Sequence, residues 1–183
     1  MKLAAILYDV SASPQTDALI VQIARQLKGA GLRLAGAVQS NVDVAGRSRC
    51  DIMLEDLATG RTIKTSQDRG PLARGCRLDS GALEESVGLA GSSLGTQIDL
   101  VIINRFGKQE AEGHGFRPMI EQAVLLGVPV IVGLNRTNLE SWRIFVGDVP
   151  ELLPPELGAI FSWCRANCSA RGGLPKCASA AHT

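Results

Sequence analysis

Several apolar runs in this chain end in residues suited to oxygen-rich ligands. Leu100, Val101, Ile102 and Ile103 are followed by Asn104, Arg105, Phe106, Gly107 and Lys108. An amide, a guanidinium and an ammonium there supply hydrogen-bond donors and positive charge, the chemistry of an anion site. A second donor-rich segment sets Arg69, Arg74 and Arg77 among Gly70, Pro71 and Gly75, a composition that suits a turn-rich loop presenting guanidinium groups. The structural alternative is a solvated loop whose arginines pair with Asp68 and Asp79. Ser66 and Gln67 enter this segment, Asp9 ends the first apolar run, and Asn135 and Arg136 end a later one.

Ligands of open parallel sheets bind outside the carboxyl ends of the strands. The candidate ligand-binding set is therefore Asp9, Ser66, Gln67, Arg74, Arg77, Asn104, Arg105 and Lys108. Arg74, Arg77, Arg105 and Lys108 would neutralise an oxyanion, and Ser66, Gln67 and Asn104 would orient it. At any single position the alternative is a polar residue that merely ends a buried strand. Glu110, Glu112 and His114 add groups capable of acid/base work if folding converges them, although His114 precedes a helical pattern and can simply cap or solvate its start. No catalytic residue is assigned.

The connection from Tyr8 to Thr16 holds neither glycine nor lysine. A phosphate-cradling loop needs glycines to turn its amides inward and a lysine to meet the phosphates, so ordinary Mg-dependent nucleotide hydrolysis is disfavoured and no nucleotide or metal cofactor is assigned. Cysteine offers a rival site. Cys164, Cys168 and Cys177 form a C-x3-C-x8-C spacing that a soft metal such as zinc could use, with His182 or a distant cysteine as fourth ligand; the alternative is reduced structural thiols. Cys76, beside arginines, reads as either a reactive thiol or a structural one.

The elements that must position these groups alternate as in an α/β domain. Residues 3–7 form a strand, and Leu19, Ile20, Ile23, Ala24 and Leu27 mark a helix face that ends at Gly29 and Gly31. Residues 32–38 form a strand, and residues 50–57 and 61–66 a hairpin around Ala58, Thr59 and Gly60. Ser80 is the expected N-cap of a helix reaching about Leu94, with Glu84 and Glu85 near its positive end. A strand over 98–103, a helix marked by Phe116, Ile120, Ala123 and Val124, and a strand over 128–134 make a βαβ unit. Residues 142–146 are expected to add a last strand and residues 156–167 a helix. The expected organisation is one α/β domain over 1–168 and an irregular tail over 169–183.

With 183 residues, the chain can bury one sizeable core. Its formal net charge of +1 gives no global field toward nucleic acid or anionic membrane. Aromatic residues are 4% of the chain, too few for a base-stacking platform. Nucleic acid is therefore not an expected partner. No apolar run reaches the ~20 residues of a membrane-spanning helix, and Asp9 interrupts the signal-like start, so the expected location is cytoplasmic.

The segments LYDVSASPQTDALI, AGAVQSN, CDIMLEDL, SQDRGPLARGCRLD with its following LEE, and DLVIINRFGKQEAEGHGF, with Trp142 later, resemble a bacterial domain-of-unknown-function family associated with molybdenum-uptake gene neighbourhoods. That family is in turn similar to the THEP-type nucleoside-triphosphatases. The resemblance implies a three-layer, mostly parallel α/β sheet of P-loop-NTPase type, with an inserted hairpin and a degenerate phosphate loop. On the hydrolase pattern the phosphate-loop lysine and its hydroxyl neighbour fall near Thr16 and Asp17, and the acidic pair falls at Asn104 and Arg105. An arginine there repels Mg²⁺ and favours an anion. The implied role is non-hydrolytic binding of a small anion, molybdate among the candidates, or accessory function. The alternatives are a nucleoside-triphosphatase or phosphotransferase with a non-standard site, and a regulatory protein-interaction module.

Overall fold

A computed structural model describes residues 2–43, 50–67, 78–147 and 149–168. Seven strands form one sheet: β1 (Leu3–Tyr8), β2 (Leu34–Val42), β3 (Asp51–Asp56), β4 (Thr62–Lys64), β5 (Leu100–Phe106), β6 (Val130–Asn135) and β7 (Glu151–Leu153), in the order β4-β3-β2-β5-β6-β1-β7. The pairs β2/β5, β5/β6, β6/β1 and β1/β7 are parallel, whereas β2/β3 and β3/β4 are antiparallel. The architecture is the expected mostly parallel sheet of P-loop-NTPase-like type, with β3 and β4 as the inserted hairpin.

Strand side chains alternate between faces, and the two cores follow that period. Ala4 and Ile6 of β1 and Leu100 and Ile102 of β5 pack with α1 (Ser13–Gly29) and α6 (Leu157–Asn167). Leu3, Ala5, Val101 and Ile103 face the other way, toward α2 (Ser80–Ser92), α4 (Arg117–Leu125) and α5 (Leu139–Val146). Helices therefore cover both faces, and the strands read as nearly continuous apolar runs because both sides are buried. Continuing the alternation puts Tyr8 and Asn104 on the α1 face.

The buried stripe of α1 is Thr16, Asp17, Ile20, Ile23, Ala24 and Leu27, at helical spacing. Each of the large aliphatic residues contributes roughly 1.5–3 kcal/mol by leaving water. The same stripe carries Asp17 inward, because residue 17 lies three before Ile20 on one face. Gly133 of β6 sits below this helix: a Cβ there would collide with the Asn104 carbonyl and press on Ile20. Glycine at 133 thus lets β5, β6 and α1 close around Asn104.

Two expectations are corrected. Residues 142–146 are not a strand but part of α5, and the last strand is β7. Leu139, Trp142 and Val146 recur at helical rather than alternate spacing and pack on one core, with Trp142 fully buried. The N-cap of α2 is Asp79 rather than Ser80: its carboxylate accepts the Ala82 amide at 3.1 Å. Among the described residues no helix is long and apolar enough to cross a membrane.

Candidate functional site

The loop after β1 takes a form opposite to a phosphate cradle. Residues Val10–Ala12 make a 3-10 turn that runs directly into α1. The Ala12 amide donates to the Asp9 carbonyl at 2.9 Å, and the Ser13 amide donates to the Val10 carbonyl. Pro14, in the first turn of α1, has no amide hydrogen to offer. The Thr16 hydroxyl turns back to the Ala12 carbonyl at 2.9 Å. Donors that would meet phosphate or help hold a metal are engaged within the loop itself.

One turn further, the Asp17 carboxylate is the centre of a polar knot. Asn104 Nδ2 donates to its Oδ1 at 2.9 Å, and an Arg105 terminal nitrogen reaches both carboxylate oxygens at 3.2 Å. Gln39, on β2, adds a longer contact at 3.4 Å. The side chain of Asp17 is 7% exposed and that of Arg105 is 39% exposed, so the pair lies at the boundary of core and solvent. Burial opposes the guanidinium charge, but Tyr8 and Asp17 outweigh it and raise the Arg105 pKa. Burial also raises the pKa of the Tyr8 phenol; the Arg105 charge opposes that rise and the Asp17 charge adds to it. The two positions where a hydrolase holds phosphate and metal therefore hold each other, with their charges reversed.

Three buried atoms around this knot lack a hydrogen-bond partner: the Tyr8 hydroxyl, Asn104 Oδ1 and Arg105 Nε. Buried polar atoms in native proteins are nearly always satisfied, so three around one carboxylate mark a place where water or a ligand belongs. Asp17 and Gln39 also line a groove of about 480 Å³ between α1 and the end of β2, which opens the knot to solvent.

The other expected site residues lie at strand ends but do not join the knot. Asp9 pairs with Arg136 at 2.8 Å, both more than half exposed. Ser66 accepts the Ile52 amide at 3.0 Å and bridges across to Leu78. Gln67 donates to Asp79 at 3.3 Å, which helps the Ala82 amide hold the Asp79 carboxyl below its ordinary pKa. Lys108 is 82% exposed and faces Glu112 at 3.6 Å. Arg74 and Arg77, with Arg69 and Cys76, lie outside the described residues. Asn104 and Arg105 are thus the two members of the set brought together, while Asp17, Tyr8 and Gln39 are the partners that strand-end reasoning passed over. The signal for Asp17 was a carboxylate at helical spacing on an apolar stripe.

The loop after β5 does not assemble an acid/base group. Glu110, in α3 (Lys108–Ala111), is buried and accepts the Gly107 amide at 2.9 Å and the Phe116 amide at 3.1 Å. His114 stands exposed on the surface. Of the expected thiol ligands, Cys164 and Cys168 are buried together under α6, and Cys177 lies outside the described residues. Among the described residues no group of three or more His, Cys, Asp or Glu side chains is arranged to hold a metal. Nor do the residues at the knot fit a Mg-nucleotide, because the strand-end acids are replaced by Asn104 and Arg105 and the Thr16 hydroxyl is engaged.

Comparison with known proteins agrees with this geometry. A molybdenum import ATP-binding protein, ModC 2, from Bradyrhizobium diazoefficiens is 34% identical over 170 residues, which is 92% of this chain but 18% of that protein. The chain thus spans less than a fifth of the length of that relative. The nucleoside-triphosphatase THEP1 of Methanothermobacter thermautotrophicus is 26% identical over 130 residues, covering 67% of this chain and 74% of the enzyme. No solved structure gives a significant match. The strand ends that carry the Asp17–Arg105 pair fall inside a match running from residue 3 to residue 163, and on that match the chain belongs to the family described as "Protein of unknown function (DUF2478)".

Proposed function

We propose that this chain is a non-hydrolytic accessory protein that binds a small oxyanion, molybdate being the leading case, on a fold shared with nucleotide hydrolases. The observation that carries this reading is the charge-reversed knot. Asp17 stands where the hydrolase pattern has a phosphate-loop hydroxyl, and Arg105 where it has an acid, with donors of Tyr8 and Arg105 left over. A guanidinium already ordered by a carboxylate loses little freedom on meeting an anion, which favours binding without any chemical step. Arg74, Arg77 and Lys108 are proposed to add positive charge, and Ser66, Gln67 and Asp9 to border the site.

The similarity to an import ATP-binding protein supports the molybdenum assignment. Calorimetry on metal-free protein, titrating molybdate, with Mg-ATP in a parallel run, tests the reading. Molybdate binding that is lost in Arg105→Ala with the fold intact is the expected result. Mg-ATP binding with turnover, and no molybdate binding, would replace it with a relocated nucleotide site.

A second reading rests on the 18% coverage of the ModC 2 relative: the matching region there is one part of a much longer chain. On that reading this protein is a regulatory module that associates with an ATP-binding subunit. Co-purification with such a subunit, retained when molybdate binding is abolished, would favour it.

A further inference from the structure

Resting on the anion-binding reading above, we infer that the knot selects an oxyanion carrying a hydroxyl group over one that is fully deprotonated. The three unpartnered atoms supply the selection. The Tyr8 hydroxyl and Arg105 Nε are donors, whereas Asn104 Oδ1 is an acceptor, because its amide nitrogen is already committed to Asp17 at 2.9 Å. Turning the Asn104 amide over would set its oxygen against the Asp17 carboxylate, so the acceptor stays where it is.

A ligand that satisfies all three atoms must accept two hydrogen bonds and donate one. Hydrogenphosphate, arsenate and the protonated form of molybdate meet that demand. Sulfate meets only the donors and leaves its oxygens facing Asn104 Oδ1, an arrangement that costs affinity because neither oxygen carries a proton. The charge balance acts in the same direction. Arg105 is already neutralised by Asp17 at 3.2 Å, so the knot offers little net positive charge to a dianion. Tyr8 and Asn104 are 2% and 3% exposed, which removes the water that would otherwise blunt the distinction. Selection of this kind is strong because a buried acceptor left facing an oxyanion has nowhere else to turn.

The test is calorimetry of the full chain with inorganic phosphate, sulfate and molybdate, each in two buffers of different ionisation enthalpy so that proton uptake is read directly. The expected result is phosphate binding at least about tenfold tighter than sulfate, with molybdate binding accompanied by proton uptake and strengthening as pH falls. Tyr8→Phe should weaken phosphate about tenfold while leaving the unfolding midpoint unchanged, because the hydroxyl it removes has no partner in the folded chain. Sulfate and phosphate binding equally, with no proton taken up by molybdate, would overturn the selection while leaving the anion-binding reading in place. If none of the three anions binds, the anion-binding reading itself fails, and this inference with it.

Discussion

Two buried carboxylates stand at the carboxyl edge of the sheet, Glu110 after β5 and Asp17 on the helix after β1, and they are satisfied in opposite ways. Glu110 accepts two backbone amides, those of Gly107 and Phe116. Asp17 accepts only side chains, those of Asn104, Arg105 and Gln39. Backbone donors fix the loop that carries them and leave nothing over. Side-chain donors have further valences, and around Asp17 three atoms of its neighbourhood remain unpartnered. Burial alone would rank the two acids together, since each is 5% exposed. The identity of their partners separates a structural carboxylate from one built into a site.

The sharpest way to break that comparison is to remove each acid in turn. Glu110→Ala orphans two amides, one of them buried, and should cost about 3–4 kcal/mol in urea unfolding, at the level of two hydrogen bonds to a charged group. Glu110→Gln keeps one acceptor oxygen and should recover roughly half of that loss. Neither variant should alter Tyr8 or the knot. A Glu110→Ala protein with unchanged stability would show that the loop after β5 does not depend on its carboxylate.

Asp17→Ala should cost less, about 2 kcal/mol, below the ~3–5 kcal/mol of a fully buried pair because Arg105 is more than a third exposed and water screens it. Its effect on binding should run the other way: removal of the negative charge leaves Arg105 free to attract an anion, so affinity should rise while stability falls. A double-mutant cycle with Arg105→Ala isolates the coupling between them. Glu110→Ala should show no such opposition. If Asp17→Ala weakened both stability and anion binding, the carboxylate would be orienting Arg105 more than it opposes the ligand.

The frame of this molecule was legible because buried strands write themselves as apolar runs. Residues 100–103 and 128–134 announced β5 and β6, and Ala58, Thr59 and Gly60 announced the turn between β3 and β4. The stretch 142–146 misled because Trp142, Ile144, Phe145 and Val146 are apolar and bulky, like a strand; the helical spacing appears only when Leu139 is included. At the site, Asn104 and Arg105 were visible as polar residues ending a run. Their partner was not, since Asp17 lies 87 residues from Asn104 in the chain and only the β1–β6–β5 order brings α1 over β5. Gln67 and Lys108 looked equivalent to Arg105 in sequence. In the fold, Gln67 serves the α2 cap and Lys108 stands on the surface, because a strand end tells which edge a residue reaches but not which neighbour it meets.

The smallest effect is also the most local probe of the knot. Tyr8 is the one tyrosine of the chain, so its phenolate absorbance titrates a single group. Burial holds that phenol above the ordinary tyrosine value near ~10, with Arg105 pulling it down and Asp17 pushing it up. A group whose folded pKa is raised binds its proton more tightly in the native state. Its contribution to stability is therefore complete below the unfolded value and is lost as pH rises through the folded one. Titration of the native protein should show Tyr8 ionising above the range of a free phenol. Arg105→Ala should move it higher still, because the only cationic neighbour is gone, and Asp17→Ala should move it lower. Glu110→Ala should leave it where it is, since Glu110 is not among the groups acting on the phenol. Shifts of equal size and sign in the Asp17 and Glu110 variants would mean that Tyr8 reports general loosening of the sheet edge, and the distinction between the two carboxylates would lose its electrostatic content.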